Sequence, residues 1–343
     1  MQKYVDYIVE QAKNLLGIDS PTGYTRMAAT YVIAELMMMD VEVTMTKKGG
    51  VLACLNPEES REPMMMTSHV DTLGCMVHQI KDDGRLKMTP LGATHCENVE
   101  TENCRIVTKS GQIYEGTCQL VNASCHVNDK YDVKRSWDNV EIVIDEPVKS
   151  KEDVKKLGIA NGDFICFDPR TTVTKSGYIK SRFLDDKLSA AILLGFAKYV
   201  KEENVQLKRK IYLHFTVFEE VGHGASASWP QDLTEVWSVD MGCVGEGLEC
   251  TEREVSICAK DSGGPYSYDV VSRMVEVAQK HDIKYAIDIY PSYASDVGAT
   301  LSAGFDGKFG LIGPGVYASH GYERSHVDGV KNTFDLIRYY LED

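Results

Sequence analysis

The feature of this chain that most constrains its fold is a repeated unit, in which a short apolar run ends in acidic residues or histidine. Four runs have this form: 64–68 before His69 and Asp71, 211–218 before Glu219 and Glu220, 236–239 before Asp240, and 309–312 before a Gly-Pro-Gly turn and His320. Their length and composition are typical of buried strands. Ligands of an open α/β sheet bind at the carboxyl ends of its strands, so these endings predict one shared site.

Helical periodicity is found before and between these runs. Apolar residues recur with a helical period at 4–16 and 26–39, and helical runs also lie at 187–200 and 267–281. This alternation of strands and helices is typical of an α/β fold, and we expect a mostly parallel sheet covered by helices.

The middle of the chain has a different residue pattern. Between about residues 87 and 179, short polar and β-branched segments alternate with glycine turns, and helix signals are weak. Such a pattern is typical of short strands. We therefore predict a small β-rich domain at 88–178, inserted into a larger domain formed by 1–87 and 179–343.

Charge and cysteine content narrow the classes of function. The formal net charge of -14 argues against nucleic acid as a partner, because phosphate binding needs clustered Lys and Arg. No apolar run approaches the roughly 20 residues of a membrane span, and residues 1–16 are amphipathic and charged, unlike a signal peptide. The ten cysteines contain no C-x-x-C pair, which favours free thiols over a zinc site and predicts a cytoplasmic protein.

His69 and Asp71 form the first candidate site motif. Imidazole is the commonest metal ligand in proteins, and its second nitrogen often donates to a carboxylate that fixes the ring. Residues two apart on a strand share a face, so Asp71 can orient His69. The alternative is a loop histidine beside a turn-forming aspartate.

Two pairs of adjacent carboxylates follow. Asp185 and Asp186 precede a helix, where one aspartate can cap the helix and a carboxylate can also bridge two cations. Glu219 and Glu220 end an apolar run, where paired carboxylates are costly unless metal ions or protons neutralise them. Adjacent residues point to opposite sides, so one glutamate can bind metal while the other acts as a base.

The remaining candidates are Asp240, His320 and His326, and either histidine can serve as a ligand or lie in a surface loop. Taken together, these residues supply the nitrogen and oxygen ligands that zinc, cobalt or manganese accept. A bridging carboxylate with a spare glutamate is typical of two-metal hydrolysis.

These motifs, in this order, resemble those of the glutamyl aminopeptidase-like or tetrahedral aminopeptidases (metallopeptidase family forty-two), relatives of deblocking aminopeptidases and cellulase M-like proteins. The resemblance covers nearly the whole chain and is carried by these segments: His69-Val-Asp71, Arg182-Phe-Leu-Asp185-Asp-Lys, Thr216-Val-Phe-Glu219-Glu220-Val-Gly, Val239-Asp240 and Ser295-Asp296-Val-Gly-Ala. Thr72 and Lys187 depart from the family, which usually carries glutamate and arginine there, and the motif around His320 is altered.

The resemblance implies a phosphorylase/hydrolase-like catalytic metallopeptidase domain with an inserted dimerisation domain, and two divalent ions per subunit. It implies one metal on His69, Asp240 and a shared Asp185, and a second on Asp185, Glu220 and His320. Catalytic roles fall to Glu219 as general base and to Asp71. Short peptides are the implied substrates, and a dimer or dodecamer is the implied assembly.

The choice of the last ligand depends on a count. The family separates the aspartate of its Asp-Ala-Gly segment from its last histidine by about two dozen residues, which favours His320 over His326 after Asp296. Two other functions compete with the aminopeptidase. A carboxypeptidase or N-acyl deacylase would need a cation such as Arg182 or Arg324 for a substrate carboxylate, and a scaffold that had lost catalysis would not need Glu219.

Overall fold

Helices and strands follow one another along all 343 residues of the computed structural model. The helices are α1 (Gln2–Leu16), α2 (Arg26–Met38), α3 (Lys151–Lys156), α4 (Leu184–Glu202), α5 (Tyr268–Lys280), α6 (Asp296–Ser302) and α7 (Val327–Glu342). The strands are β1 (Glu42–Met45), β2 (Val51–Cys54), β3 (Met64–His69), β4 (Gly74–Ile80), β5 (Leu86–Leu91), β6 (Asn103–Val107), β7 (Ile113–Leu120), β8 (Val140–Ile144), β9 (Phe164–Phe167), β10 (Thr172–Val173), β11 (Tyr178–Ser181), β12 (Ile211–Thr216), β13 (Glu235–Val239), β14 (Gly242–Val244), β15 (Val255–Asp261), β16 (Gly264–Pro265), β17 (Tyr285–Ile289), β18 (Lys308–Tyr317) and β19 (Glu323–His326).

The chain divides into two units, of which the larger comprises Met1–Thr72 and Arg170–Asp343. Its sheet has the strand order β1-β2-β12-β3-β13-β18-β19-β11-β10; β14 and β15 also pair with β18, and β16 and β17 pair with β15. The central strands β12, β3, β13 and β18 are parallel, whereas β1, β2, β19, β11 and β10 pair antiparallel. The expected α/β architecture is present, but the sheet is mixed and not mostly parallel, because hairpins extend both of its flanks.

The central strand β3 shows why this sheet needs cover on both faces. Met64, Met65 and Met66 are fully buried although successive side chains point to opposite faces. Met64 and Met66 lie in a core cluster with residues of α1, α4 and α7, while Met65 lies in a second cluster that includes Val297 of α6.

Close approach of α1 and α4 depends on a glycine. A Cβ at Gly195 would lie 2.2 Å from Cγ1 of Ile8, so only a glycine lets the two helices meet at this distance. Burying α4 along most of its length fixes its first turn, which carries Asp185 and Asp186.

The second unit, Leu73–Pro169, is a closed barrel of six strands in the order β4-β5-β8-β7-β6-β9, with all neighbours antiparallel. Closure pairs every strand edge within the unit. The unit begins at Leu73 and not at residue 88, because β4 and β5 are barrel strands. It ends at Pro169, since β10 and β11 belong to the large sheet.

None of the helices combines the length and the apolar composition that a membrane span requires.

Candidate metal centre

Three neighbouring parallel strands deliver candidate ligands to one edge of the sheet. His69 ends β3 and is paired in register with Thr216, the last residue of β12. On the other side of β3, Thr67 is paired with Ser238 of β13. The two glutamates after β12 and the aspartate after β13 therefore emerge beside His69.

His69 lies at the centre of this edge and is 1% exposed. Its Nε2 is 3.1 Å from Oδ1 of Asp185 and 3.7 Å from Oε2 of Glu219. Its Nδ1 lies 2.9 Å from the backbone carbonyl oxygen of Asp71, whereas the Asp71 carboxylate is 3.6 Å away. The backbone of Asp71, more closely than its side chain, is thus placed to fix the ring.

Two groups of ligand atoms share Asp185. One group contains His69, Asp185 and Asp240, and the other contains Asp185, Glu220 and His320. Within each group the ligand atoms lie within 4.8 Å of one another. This spacing is close enough for each group to surround one cation, with Asp185 facing both.

The pKa of two carboxyls in these groups is raised, and that of Asp185 is lowered. Burial and the neighbouring Asp185 raise the pKa of Asp240 to about 7 and that of Glu220 to about 8. Burial lowers the pKa of His320, but contact with Asp185 outweighs it and raises the value to about 10. The Asp185 carboxyl, whose burial is offset by His320 and His69, keeps a pKa below its usual range.

These shifts describe a desolvated site with an excess of negative charge. Buried carboxylates are stable only when protons, cations or hydrogen-bond donors compensate them. The donor set of imidazole nitrogens and carboxylate oxygens suits divalent zinc, cobalt or manganese. The residues present therefore fit a pair of divalent cations.

Glu219 belongs to neither ligand group. Its side chain is 14% exposed, and burial raises its pKa well above the usual value. The loop that carries it is held by two buried aspartates. Asp71 accepts hydrogen bonds from the backbone amides of Glu219 and Glu220 at 3.2 and 3.4 Å. Asp296 accepts one from the amide of Ala225 at 2.7 Å and another from the hydroxyl of Thr216.

The structure separates the two histidines that compete for the last position. His320 Nε2 lies 3.4 Å from Asp185 Oδ2 and 3.7 Å from Glu220 Oε2. His326 caps α7, because its Nδ1 accepts from the Asp328 amide at 3.0 Å while its Nε2 lies 2.8 Å from the Ser176 carbonyl oxygen. His326 therefore lies outside both ligand groups.

The two arginines considered for a substrate carboxylate have other surroundings. Arg324 Nε lies 2.9 Å from Glu252 Oε1, and its guanidinium lies over the Tyr178 ring at 4.2 Å. Arg182 is 5% exposed.

Two buried acids near the site have no role that the sequence predicts. The sequence places Asp296 in a motif without a defined role, and it does not distinguish Glu323 from other acids. Glu323 is 1% exposed and accepts hydrogen bonds from the amides of Asp185 and His320. Its position three residues after His320 was the only signal in the sequence, since an acid there can be either exposed or buried.

The loops that carry Asp185, Glu220 and His320 each contain a non-glycine residue in the left-handed region. Phe183 before Asp185, Phe218 before Glu219, and His320 itself have φ of 68°, 72° and 63°. L-residues seldom adopt this conformation, and such residues concentrate at functional sites. The peptide bond between Asp185 and Asp186 is cis.

Known proteins with similar sequences are peptidases. The M42 glutamyl aminopeptidase family matches residues 49–336. YhfE of Bacillus subtilis (strain 168), named as a candidate aminopeptidase, is 42% identical over 335 residues, covering 97% of each chain.

Solved structures share the fold. The TET1 peptidase of Pyrococcus horikoshii is 22% identical with a TM-score of 0.86, over 97% of this chain and 99% of that one. The TET aminopeptidase of a marine-sediment Thaumarchaeota archaeon is 18% identical with a TM-score of 0.89, over 98% and 96% of the two chains. The family match and the 42% identity over almost the full length show that this chain is a peptide hydrolase of the M42 glutamyl aminopeptidase family.

Proposed function

We propose that the protein is a two-metal aminopeptidase that removes N-terminal residues from short peptides. His69, Asp185 and Asp240 would hold one divalent ion, and Asp185, Glu220 and His320 would hold the other. Zinc or cobalt is the preferred metal at both positions, and manganese is an alternative for the same donors. Such a pair, when bound, polarises the scissile carbonyl and lowers the pKa of the attacking water.

This proposal rests on how six side chains are arranged at the site. Five of them form the two ligand groups, and the sixth, the Glu219 carboxylate, belongs to neither group. The two ligand groups meet at Asp185. Glu219 lies beside them, 3.7 Å from His69 Nε2, yet belongs to neither. A carboxylate in this position is free to exchange protons with the reacting atoms.

Glu219 is therefore assigned as the general base. It removes a proton from the attacking water as the water oxygen bonds to the scissile carbonyl carbon. The same proton passes to the leaving amine as the carbon–nitrogen bond breaks. The Glu219 carboxyl holds this proton between the two steps.

Glu219→Gln tests this assignment. We expect activity to fall about 10²- to 10⁴-fold, as is typical for loss of a general base. Metal content, measured by inductively coupled plasma mass spectrometry, should stay at the wild-type value. Full activity, or loss of a metal, would refute the assignment of Glu219 as base.

The choice between an aminopeptidase and a carboxypeptidase is tested with blocked peptides. N-acetylation of a good substrate should stop its cleavage, because the free amine is required, whereas C-terminal amidation should not. The opposite pattern would favour the rival amidohydrolase.

Self-association is also proposed, with the barrel unit as the dimerisation element. The solved structure of Pyrococcus horikoshii TET1 is described as assembling into a tetrahedron or a large octahedral shell. A dimer or dodecamer of this chain would give the corresponding mass in size-exclusion chromatography with light scattering, and a monomer at micromolar concentration would contradict the proposal.

A further inference from the structure

Glu323 connects two ligands of the same group through their backbones. Its Oε2 accepts a hydrogen bond from the amide of Asp185 at 3.1 Å, and its Oε1 accepts one from the amide of His320 at 3.0 Å. Both amides belong to members of the Asp185–Glu220–His320 group. One side chain therefore sets the separation of two chain segments that are 135 residues apart in sequence.

The backbone at the His320 end of this connection has an unusual conformation. His320 and nearby Ala318 have φ of 63° and 58°, a region that L-residues keep only when surrounding contacts hold them there. Asp185 has φ -73° and ψ 103°, which is not helical although it lies in the first turn of α4. Contacts from outside each segment are needed to maintain such geometry.

Glu323 is itself held by regular structure. It is the first residue of β19 and is paired in register with Ser181 of β11. The chain leaves β11 at Ser181 and reaches Asp185 four residues later. Ligands positioned from a paired strand are placed more accurately than ligands positioned from a loop alone.

The chemistry at position 323 requires a carboxylate. Both of its oxygens can accept, so each amide finds an acceptor. A glutamine has one acceptor oxygen, and its amide nitrogen would face a second donor. An aspartate keeps the charge but is one methylene shorter, so it cannot keep both contacts.

We infer that Glu323 is a positioning residue for the metal ion held by Asp185, Glu220 and His320, because it fixes the backbones of two of those ligands. This inference rests on the two-metal function proposed above. Partners that orient metal ligands typically change metal affinity about 10- to 100-fold when they are removed.

Metal titration of wild-type protein, Glu323→Gln and Glu323→Asp tests this role. Each metal-free protein is titrated with Co²⁺ against a competing chelator, and the visible spectrum of Co²⁺ reports the geometry at each step. We expect both variants to weaken the dissociation constant of the ion held by Asp185, Glu220 and His320 about 10- to 100-fold and to alter its spectrum, with a smaller effect on the other ion, which shares only Asp185 with it. The second variant separates position from charge.

Asp288→Asn is the matched control. Asp288 is also buried and accepts hydrogen bonds from two backbone amides, those of Glu249 at 2.7 Å and Cys250 at 3.2 Å. It belongs to neither ligand group. The control should lower thermal stability without changing either dissociation constant.

The outcomes separate this inference from the proposed function. Two bound ions with unchanged constants in Glu323→Gln would overturn the inference alone, as would equal weakening in Asp288→Asn. Full affinity in Glu323→Asp would show that charge matters and position does not. Wild-type protein that takes up no divalent ion would overturn the proposed function and this inference with it.

Discussion

Replacing Asp71 with asparagine asks whether its carboxylate serves the histidine or the glutamate loop. The carboxylate accepts from the Thr22 hydroxyl at 2.7 Å and from the amides of Glu219 and Glu220 at 3.2 and 3.4 Å. The contact to His69 Nδ1 at 2.9 Å is made by the backbone carbonyl of Asp71, which the substitution retains. We therefore expect the glutamate loop to lose a contact while His69 keeps its own.

The size of the effect follows from the number of acceptors. Asparagine has one acceptor oxygen, so its NH₂ group must face at least one loop amide. If the NH₂ group takes the place of Oδ2, the Thr22 hydroxyl can accept from it, and only the contact to the Glu220 amide is lost. Losing a hydrogen bond to a charged group costs about 1.5–3 kcal/mol. If the transition state is destabilised by that free energy, kcat/KM falls about 10- to 100-fold.

The assay pairs steady-state kinetics on an aminoacyl-anilide with metal titration. We expect kcat of Asp71→Asn to fall. The lost contact to the Glu220 amide should affect only the ion held by Asp185, Glu220 and His320, while the dissociation constant of the ion held by His69, Asp185 and Asp240 stays at the wild-type value. Thr22→Val is the control, because it removes one donor to Asp71 and leaves both loop amides bonded, so its effect should be smaller. A weakened constant for the ion held by His69, Asp185 and Asp240 would refute this reasoning and return the carboxylate to the role of orienting His69.

Four further perturbations are expected to have specific outcomes. Gly224→Ala would place a Cβ 2.2 Å from Oδ1 of buried Asp296, so we expect about 1–3 kcal/mol of destabilisation and a lower kcat. Gly298→Ala meets nothing within 4 Å and should be neutral or stabilising by up to about 1 kcal/mol in denaturant titrations. Burial, with a smaller effect of a nearby lysine, lowers the pKa of His214 to about 4, so the unfolded chain binds this proton more tightly. This group does not reduce the free energy of unfolding above about pH 6.5, but it removes roughly 3 kcal/mol as the pH falls toward 4. The His214→Gln variant should therefore lose less stability than the wild type over that range. Equal losses in the two proteins would contradict the prediction. Contact with Asp185 outweighs burial and raises the pKa of His320 to about 10, so metal uptake at pH 7 should release protons. Proton release is measured by calorimetry in two buffers of different ionisation enthalpy. Identical heats of binding in the two buffers would contradict the prediction.

The convergence of the candidate ligands could be expected from the sequence because it depends on strand length and order. An apolar run of strand length fixes where a buried strand ends, and parallel neighbours end at the same edge. His69 after β3 and Asp240 after β13 follow this rule. The peptidase family and the α/β class could be recognised for the same reason, since the motifs lie on the elements that place them.

The flanks of the sheet could not be derived in the same way. Short strands such as β10, β16 and β19 carry two to four residues and have no periodicity long enough to set their direction. Antiparallel pairing there depends on hairpins and on contacts distant in sequence. The start of the barrel was misplaced for a related reason, since alternation in β4 and β5 indicates strands but does not say which sheet they join.

The different roles of the acidic residues could not be predicted from the sequence either. A carboxylate that faces a cation and a carboxylate that accepts from a backbone amide are the same residue type in a sequence. Asp185 and Glu220 lie in the ligand groups, whereas Asp71, Asp296 and Glu323 accept from amides of the loops that carry ligands or the proposed base. Only the fold shows which acid has an amide within reach.

That division has a physical basis in the charge of the site. Ligand carboxylates brought together in a desolvated space repel one another until cations or protons arrive, although Asp240 also accepts from the amide of Met241. Hydrogen bonds from backbone amides offset part of the charge of an acid before any ion binds, while burial still raises the pKa of Asp296 and of Glu323. Asp71, Asp296 and Glu323 accept such bonds, and each fixes a loop whose backbone is in the left-handed region or adjoins such a residue. The acidic residues around this centre therefore act in two sets, one that holds the loops and one whose mutual repulsion favours cation binding.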